Sequence, residues 1–490
     1  MEDTQMAAGT VRAASRLLPI FIAAAVAVRF LYLGEEGLFL DEVYSVTLTS
    51  PDRSFSQFFQ AYMGETHPPL YYIMLWGWFS IFPYNDLSAR ILNGVIGSGT
   101  LLFMYFYYRD LIEQRAYILL CVMFGCSYGA IYYAQEVRMY APLLAGSVIA
   151  FGACLRAFRQ TAAGETPGVA TALLFFLGGA LAAFSQYYGV LGISAMAAAL
   201  LVVRLRCWRR LIPLLAATAV LDALVMAWMA STAAVASGSR VATWLEPDFE
   251  WVAMEFSRLL LSSKTFLYVV AAFVCLVAVL AYRRKDERRE YLWFCLITLG
   301  CVLAVASAYT LILYPVLLPR ALLVLFPAAY VLIAMAAVIA CDLLGRHRRA
   351  GFLVCLALTL VLPLPRLYLH FSQLRKEDRP GSTAFVLDQA GCRDGTIFVV
   401  DDGPADFFGY YAGQIAPGNH MALFALPRSG QAAPEEVAAV LGDRCSVVAW
   451  AYALAPEELQ ALLIGATAQP LRFEEFRGVT VALEDDGAGG

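Results

Sequence analysis

His67-Pro68-Pro69-Leu70-Tyr71-Tyr72-Ile73-Met74-Leu75-Trp76-Gly77-Trp78-Phe79-Ser80-Ile81-Phe82-Pro83 decides how this chain is threaded. The apolar run 68–82 has about 15 residues, opens on Pro68-Pro69 and stops at Pro83. A helix needs about 20 apolar residues to cross a hydrocarbon core of about 30 Å. The run therefore reads as an interfacial or re-entrant helix. Its Tyr71, Tyr72, Trp76 and Trp78 suit the headgroup level, where a ring's apolar body and polar edge both find partners.

Apolar runs at 17–33 and 88–108 flank it, each long enough to span. Were 68–82 a third crossing, Arg109 and Arg115 would lie across the membrane from Arg12 and Arg16. Short cytoplasmic loops collect Lys and Arg. With 68–82 kept at the surface, that rule holds through every later basic cluster: Arg156/Arg159, Arg204 to Arg210, Arg283 to Arg289, and Arg346 to Arg349. The stretch 168–203 divides at Ser185-Gln186-Tyr187-Tyr188 into two spans, and 211–231, 265–282, 290–309 and 321–341 follow. The expected fold class is an α-helical polytopic membrane protein of about eleven spans with juxtamembrane helices. Its N-terminus is cytoplasmic. The loop 34–87, the turn 134–138 and the chain beyond about 365 lie outside.

Composition agrees: 60% of residues are hydrophobic and 15% charged, against about half and about a quarter in soluble domains. The net charge of −4 says little about partners, since its distribution matters more. Membrane lipids are the expected surroundings, and no nucleic acid is expected. The first run follows Arg12 and Arg16 but leads to Gly34-Glu35-Glu36 rather than a small-x-small cleavage site, so it reads as a retained span. Arg29 near its outer end can snorkel.

Two domains are expected, a membrane domain over 1–367 and an extracytoplasmic α/β domain over 368–490. In the latter, Thr396–Val400 and Ser446–Trp450 read as buried strands, and Pro434-Glu435-Glu436 and Pro456-Glu457-Glu458 as helix starts. Asp401-Asp402-Gly403-Pro404 is a strand exit or a metal site. Cys392 and Cys445 form a bridge or stay two thiols. The Cys residues inside apolar runs act as small hydrophobes.

Chemistry-bearing residues gather in the outer segments. Asp41-Glu42 follows the first span, where a carboxylate is a solvated loop acid, a base or a divalent-cation ligand. His67 stands at the entrance of the Pro-started helix. Glu136 and Arg138 occupy a short turn at the membrane edge, as an interfacial ion pair or as part of a wet cavity. Arg90 opens the next span, and Arg320 ends the Pro-rich turn Tyr314-Pro315-Val316-Leu317-Leu318-Pro319. Either arginine can bind a lipid phosphate or ordinary headgroups. Asp222, inside a span, reads as a packing or cavity residue.

In that order, Asp41-Glu42, His67-Pro68-Pro69-Leu70, Arg90 and Glu136-Val137-Arg138-Met139-Tyr140 resemble the GT-C superfamily of glycosyltransferases. The nearest resemblance is to the protein O-mannosyltransferase and lipid A aminoarabinose transferase group, which depends on polyprenyl-phosphate sugars. Arg320 matches an arginine of that pattern, although Ala321 stands where an aromatic usually follows. The resemblance implies transfer of one sugar, hexosyl or pentosyl, from a polyprenyl-phosphate carrier to a lipid, glycan or protein acceptor. Transfer would occur at the extracytoplasmic face of the plasma (inner) membrane. It implies Asp41 as base, Glu42 as its assistant and Glu136 as a second acid. His67, Arg90, Arg138, Tyr140 and Arg320 would bind substrate and carrier phosphate. A divalent cation (Mg or Mn) on Asp41, Glu42 and Glu136 is the one cofactor implied. The rival readings are a transporter or lipid-linked sugar flippase, which would place acids near the midplane and repeat its halves, and a polysaccharide ligase or polymerase.

Overall fold

The computed structural model describes residues 2–236, 248–283, 286, 288–313, 315–388, 396–400, 407–417, 422–426, 447–452, 455–463 and 470–484. Tyr314, the Asp401–Pro404 segment, Pro434 to Glu436, Cys392 and Cys445 lie outside the described residues. The chain divides into two compact units, one of residues 1–31, 52–80 and 90–372, the other of 32–51, 81–89 and 373–490.

The first unit is helical. Among the described residues, eight helices are long and apolar enough to cross a membrane. A ninth is the pair Gln114–Gly125 and Tyr128–Ala134, bent by 49°. The bend falls at Cys126-Ser127, where Ser127 Oγ accepts from the Ala130 N–H at 3.1 Å and so restarts the helix. The Tyr330 hydroxyl pins this break, 2.7 Å from Ser127 Oγ and 2.8 Å from the Leu260 carbonyl that accepts its proton.

Leu70–Phe79 has ten residues, about 15 Å of helix, half of what a crossing needs. The Leu70 N–H donates to the Phe184 carbonyl at 2.9 Å, and the Trp76 indole to the Arg53 carbonyl at 3.1 Å. Tyr71, Tyr72, Leu75 and Phe79 are buried. The expected count of eleven spans includes Val169–Ala183 and Tyr188–Val203, of 15 and 16 residues, about 22–24 Å each and short of a straight crossing. Counted by length and apolarity among the described residues, eight helices qualify as spans, or nine with the bent pair.

Small residues let these short helices pack closely. A methyl on Gly146 would meet the backbone of Gly178 and Ala182 in the neighbouring helix, the close approach that glycine permits between membrane helices. Asp222 accepts from Ser194 Oγ at 3.1 Å, joining Ile212–Ala236 to Tyr188–Val203. Where the basic loops lie, Arg115 and Arg288 bind Asp342 and Glu113, and Arg288 also binds Asp286 at 2.7 Å. These ion pairs clamp three helix ends together. The Cys residues described are free thiols, and Cys121, Cys154, Cys295 and Cys341 are buried.

The second unit is built on a sheet of order β2-β1-β3-β5-β4. Its strands are β1 (Thr396–Val400), β2 (Ala422–Leu426), β3 (Val447–Tyr452), β4 (Leu471–Phe476) and β5 (Val479–Glu484). β1 is parallel to β2 and β3, and β5 is antiparallel to β3 and β4. The turn from β4 to β5 needs φ +73° at Gly478, accessible to glycine without strain. Pro456–Leu463 is the acidic-started helix read from the sequence.

The helix Leu40–Leu48, from the loop after the first span, belongs to this unit. The Leu38 N–H donates to the Tyr411 hydroxyl at 2.7 Å, which donates in turn to Asp86 at 3.0 Å. The Tyr84 hydroxyl donates to the Val46 carbonyl at 3.3 Å, and Trp450 Nε1 to Ser382 Oγ at 3.0 Å.

Candidate active site

In the first unit, the turn between Tyr128–Ala134 and Tyr140–Ala162 is held from the opposite helix, Asp86–Tyr107. Asn93 Nδ2 donates to the Arg138 carbonyl at 3.0 Å and also to that of Glu136. Gln135 fixes the other edge, donating to the Leu31 carbonyl at 2.9 Å and lying 2.8 Å from His370 Nε2. So restrained, the turn presents two charged side chains of opposite sign. Glu136 accepts from the Tyr132 hydroxyl at 3.3 Å. Arg138 is 5% exposed, a charge that such burial allows only with counter-charges in reach.

One counter-charge is Glu65, which the sequence reading passed over. Its Oε1 lies 2.7 Å from His67 Nδ1 and accepts the His67 N–H at 3.1 Å and the Thr66 N–H at 2.9 Å. Burial raises the cost of its charge, yet the His67 hydrogen bond and charge, with the charge of Arg138, hold the carboxyl down at about 2. The imidazole is thereby oriented with Nδ1 on Glu65. The Tyr62 hydroxyl secures the loop by donating to the His67 carbonyl at 2.7 Å.

The aromatic residues extend this cluster to Arg320. Its guanidinium lies 5.7 Å from the Tyr140 ring centroid, and the Tyr140 ring is 4.9 Å from that of Tyr133. Tyr133 feels the charges of both Glu136 and Arg320. Arg90, 3% exposed, precedes Asn93 by three residues on the same helix and therefore shares its face. The first unit thus carries His67, Arg90, Glu136, Arg138, Tyr140 and Arg320.

Asp41 and Glu42 belong to the second unit. Both stand in the first turn of Leu40–Leu48. Glu42 is fully buried and committed. It accepts the Phe39 N–H at 2.7 Å, closing the helix start, and pairs with Lys376 Nζ at 2.5 Å. Asp41 is only half-buried, and Ser45 Oγ donates to its carbonyl at 2.9 Å. Among the described residues, no three His, Cys, Asp or Glu side chains gather as metal ligands.

The helical unit thus holds a carboxylate–imidazole–guanidinium cluster, and the second unit, by itself, a carboxylate pair in the first turn of a helix. Sequence signals for the missed members were slight. Glu65 stands two residues before His67 in an irregular loop, and Asn93 three after Arg90.

No protein-family model matches the sequence, and no curated protein matches it. Solved structures do. ArnT from Cupriavidus metallidurans bound to undecaprenyl phosphate superposes with TM-score 0.55 at 14% identity, over 97% of this chain and 99% of that one. The archaeal oligosaccharyltransferase AglB from Archaeoglobus fulgidus, in complex with an inhibitory peptide and a dolichol-phosphate, gives 0.54 at 12% identity, over 97% of this chain and 75% of that one. The Archaeoglobus fulgidus oligosaccharyltransferase complex with Zn and sulfate gives 0.50 at 11% identity, covering 94% and 73%. All are GT-C glycosyltransferases, and the likeness shows that this chain has the GT-C fold.

Proposed function

We propose that this chain is a glycosyltransferase that moves one sugar from a polyprenyl-phosphate carrier to a lipid, glycan or protein acceptor. The observation that carries the reading is the Glu65–His67–Arg138 cluster beside Glu136, on a fold shared with ArnT and AglB. The undecaprenyl phosphate on ArnT and the dolichol-phosphate on AglB support a polyprenyl-phosphate donor. The transferred group is a hexose or pentose unit. The reaction runs at the extracytoplasmic face of the plasma (inner) membrane, with the N-terminus cytoplasmic and the C-terminal residues outside.

A sugar phosphate already has a competent leaving group, so the protein must remove a proton from the acceptor and receive charge on the departing phosphate. Asp41 takes the proton of the acceptor hydroxyl or amine. The freed lone pair attacks the anomeric carbon, and the bond from that carbon to the phosphate oxygen breaks. Its electron pair stays on the carrier, which leaves as polyprenyl phosphate. One displacement inverts the anomeric configuration. Glu42, held by Phe39 and Lys376, assists by positioning Asp41.

His67 gives its Nδ1 side to Glu65. Its other nitrogen, when protonated, donates to the phosphate. Arg138, Arg90 and Arg320 supply the remaining charge, guanidinium forks being suited to phosphate oxygens. Glu136, on Tyr132, is the second acid, and Tyr140, whose ring faces Arg320, binds substrate beside it.

A divalent cation is raised by the oligosaccharyltransferase solved with Zn and by the acids Asp41, Glu42 and Glu136. The residues described do not form a ligand trio, and Glu42 is committed to Lys376.

Asp41→Asn in purified protein supplied with labelled polyprenyl-phosphate sugar tests the assignment. Transfer should fall at least about a hundredfold, as for loss of a general base. A wild-type rate would remove Asp41 from that role.

A further inference from the structure

The end of the helical unit where the basic loops lie is separated from the Glu136 turn by the stretch of the Asp86–Tyr107 helix from Asn93 to Tyr107, about 21 Å. Here a cavity of about 410 Å³ opens between Glu2–Val28, Gln114–Gly125 and Arg348–Val361. That volume lies within the range of small-molecule sites, about 300–1,000 Å³. Arg12, Arg115, Arg348 and Arg349 line it, with Glu113 as its one acid among the described residues and the buried Phe352 as an apolar wall.

The charges do not cancel evenly. Glu113 is taken by Arg115 at 2.5 Å and by Arg288 at 3.0 Å, and Arg115 also binds Asp342 through two bonds of 2.7 and 3.0 Å. Arg115 is therefore a wall of the cavity with its own partners. Arg12 and Arg348 have no ion pair among the described residues, and both face the cavity. The first turns of Gln114–Gly125 and Arg348–Val361 reach the same space, and helix starts favour anions. Unneutralised guanidinium groups beside an apolar wall at a membrane surface fit an anion carrying an apolar body.

We propose that this cavity binds the phosphate of an acidic phospholipid from the leaflet on the side of the basic loops. Arg12 and Arg348 grip the phosphate oxygens, and Phe352 with Val11 receives the glycerol and the start of the acyl chains. The site is distinct from the candidate active site and does not depend on the reaction proposed above.

Native mass spectrometry of the full chain, released from mixed phosphatidylcholine and phosphatidylglycerol, tests it. Wild type should retain a phosphatidylglycerol in preference to phosphatidylcholine. The double variant Arg12→Gln/Arg348→Gln should lose that retention about tenfold or more, since two charge-assisted contacts are removed. Arg346→Gln, which removes the same kind of charge from a neighbouring position outside the cavity, should keep it. Equal retention by wild type and the double variant would overturn the proposal. So would an equal loss in Arg346→Gln, which would mark diffuse surface charge. A third arm adds inorganic phosphate to lipid-free protein. Thermal stabilisation by phosphate alone, cancelled in the double variant and without lipid preference, would assign the cavity to a soluble anion and refute the lipid.

Discussion

Replacing Glu65 with Gln removes a charge and leaves the side chain's shape nearly unchanged. A carboxyl held at about 2 instead of 4.5 prefers its ionised form by about 3 kcal/mol. Gln keeps a carbonyl for the His67 Nδ1–H, retaining about 1 kcal/mol of that as a neutral hydrogen bond. The variant should therefore be less stable by about 2 kcal/mol near neutral pH. The sign of the pH dependence follows from the lowered carboxyl. Wild type's advantage over Glu65→Gln is complete above about 4.5, shrinks as the pH falls, and is gone once the pH passes below about 2. Thermal unfolding in detergent across that range measures it. With His67 less firmly oriented, the KM for the labelled donor should rise about tenfold, a change of about 1.4 kcal/mol. If Glu65→Gln unfolds like wild type at neutral pH and keeps the wild-type donor KM, the cluster argument is wrong.

Asn93→Ala should cost about 1–3 kcal/mol, because the Glu136 and Arg138 carbonyls lose the Asn93 amide as a donor. It should also lower transfer without touching any proposed catalytic group, and the pair of readouts separates it from a purely structural change. Arg288→Ala takes the guanidinium from Asp286 and leaves Glu113 and Asp342 to Arg115. It should lower the melting point by an amount equivalent to about 1–3 kcal/mol while leaving the donor KM unchanged. Tyr411→Phe removes both the acceptor for the Leu38 N–H and one donor to Asp86, which keeps Tyr410. Protease should then cut the second unit sooner, the loss amounting to about 1–2 kcal/mol.

What the sequence made legible followed from length and charge. The helix at Leu70 stops after ten residues, as the prolines around it dictate. The strands at Thr396 and Val447 and the helix at Pro456 were readable from short apolar runs and an acidic Pro start. The span count was harder, because Val169–Ala183 and Tyr188–Val203 are shorter than the apolar stretch that contains them. Hydropathy shows where a chain is apolar, and the turn at Ser185 shortens both pieces. The partnership of Glu65 with His67 left no periodic trace in an irregular loop. Asn93 and Arg138 are 45 residues apart, and Leu38 and Tyr411 are 373 apart. Pairs so distant are joined only by the fold, so nothing local announces them. The same distance hid the recruitment of residues 32–51 and 81–89 into the unit that holds the sheet.

The central claim is that a polyprenyl-phosphate sugar is the donor. Purified wild-type protein given carrier-labelled and sugar-labelled donors, with extracted membranes as acceptor, tests it most directly. The account predicts that sugar label moves to an acceptor while carrier label is recovered as polyprenyl phosphate, in equal amounts and only with active protein. Donors recovered intact across hexosyl and pentosyl carriers and across lipid, glycan and protein acceptors would contradict it.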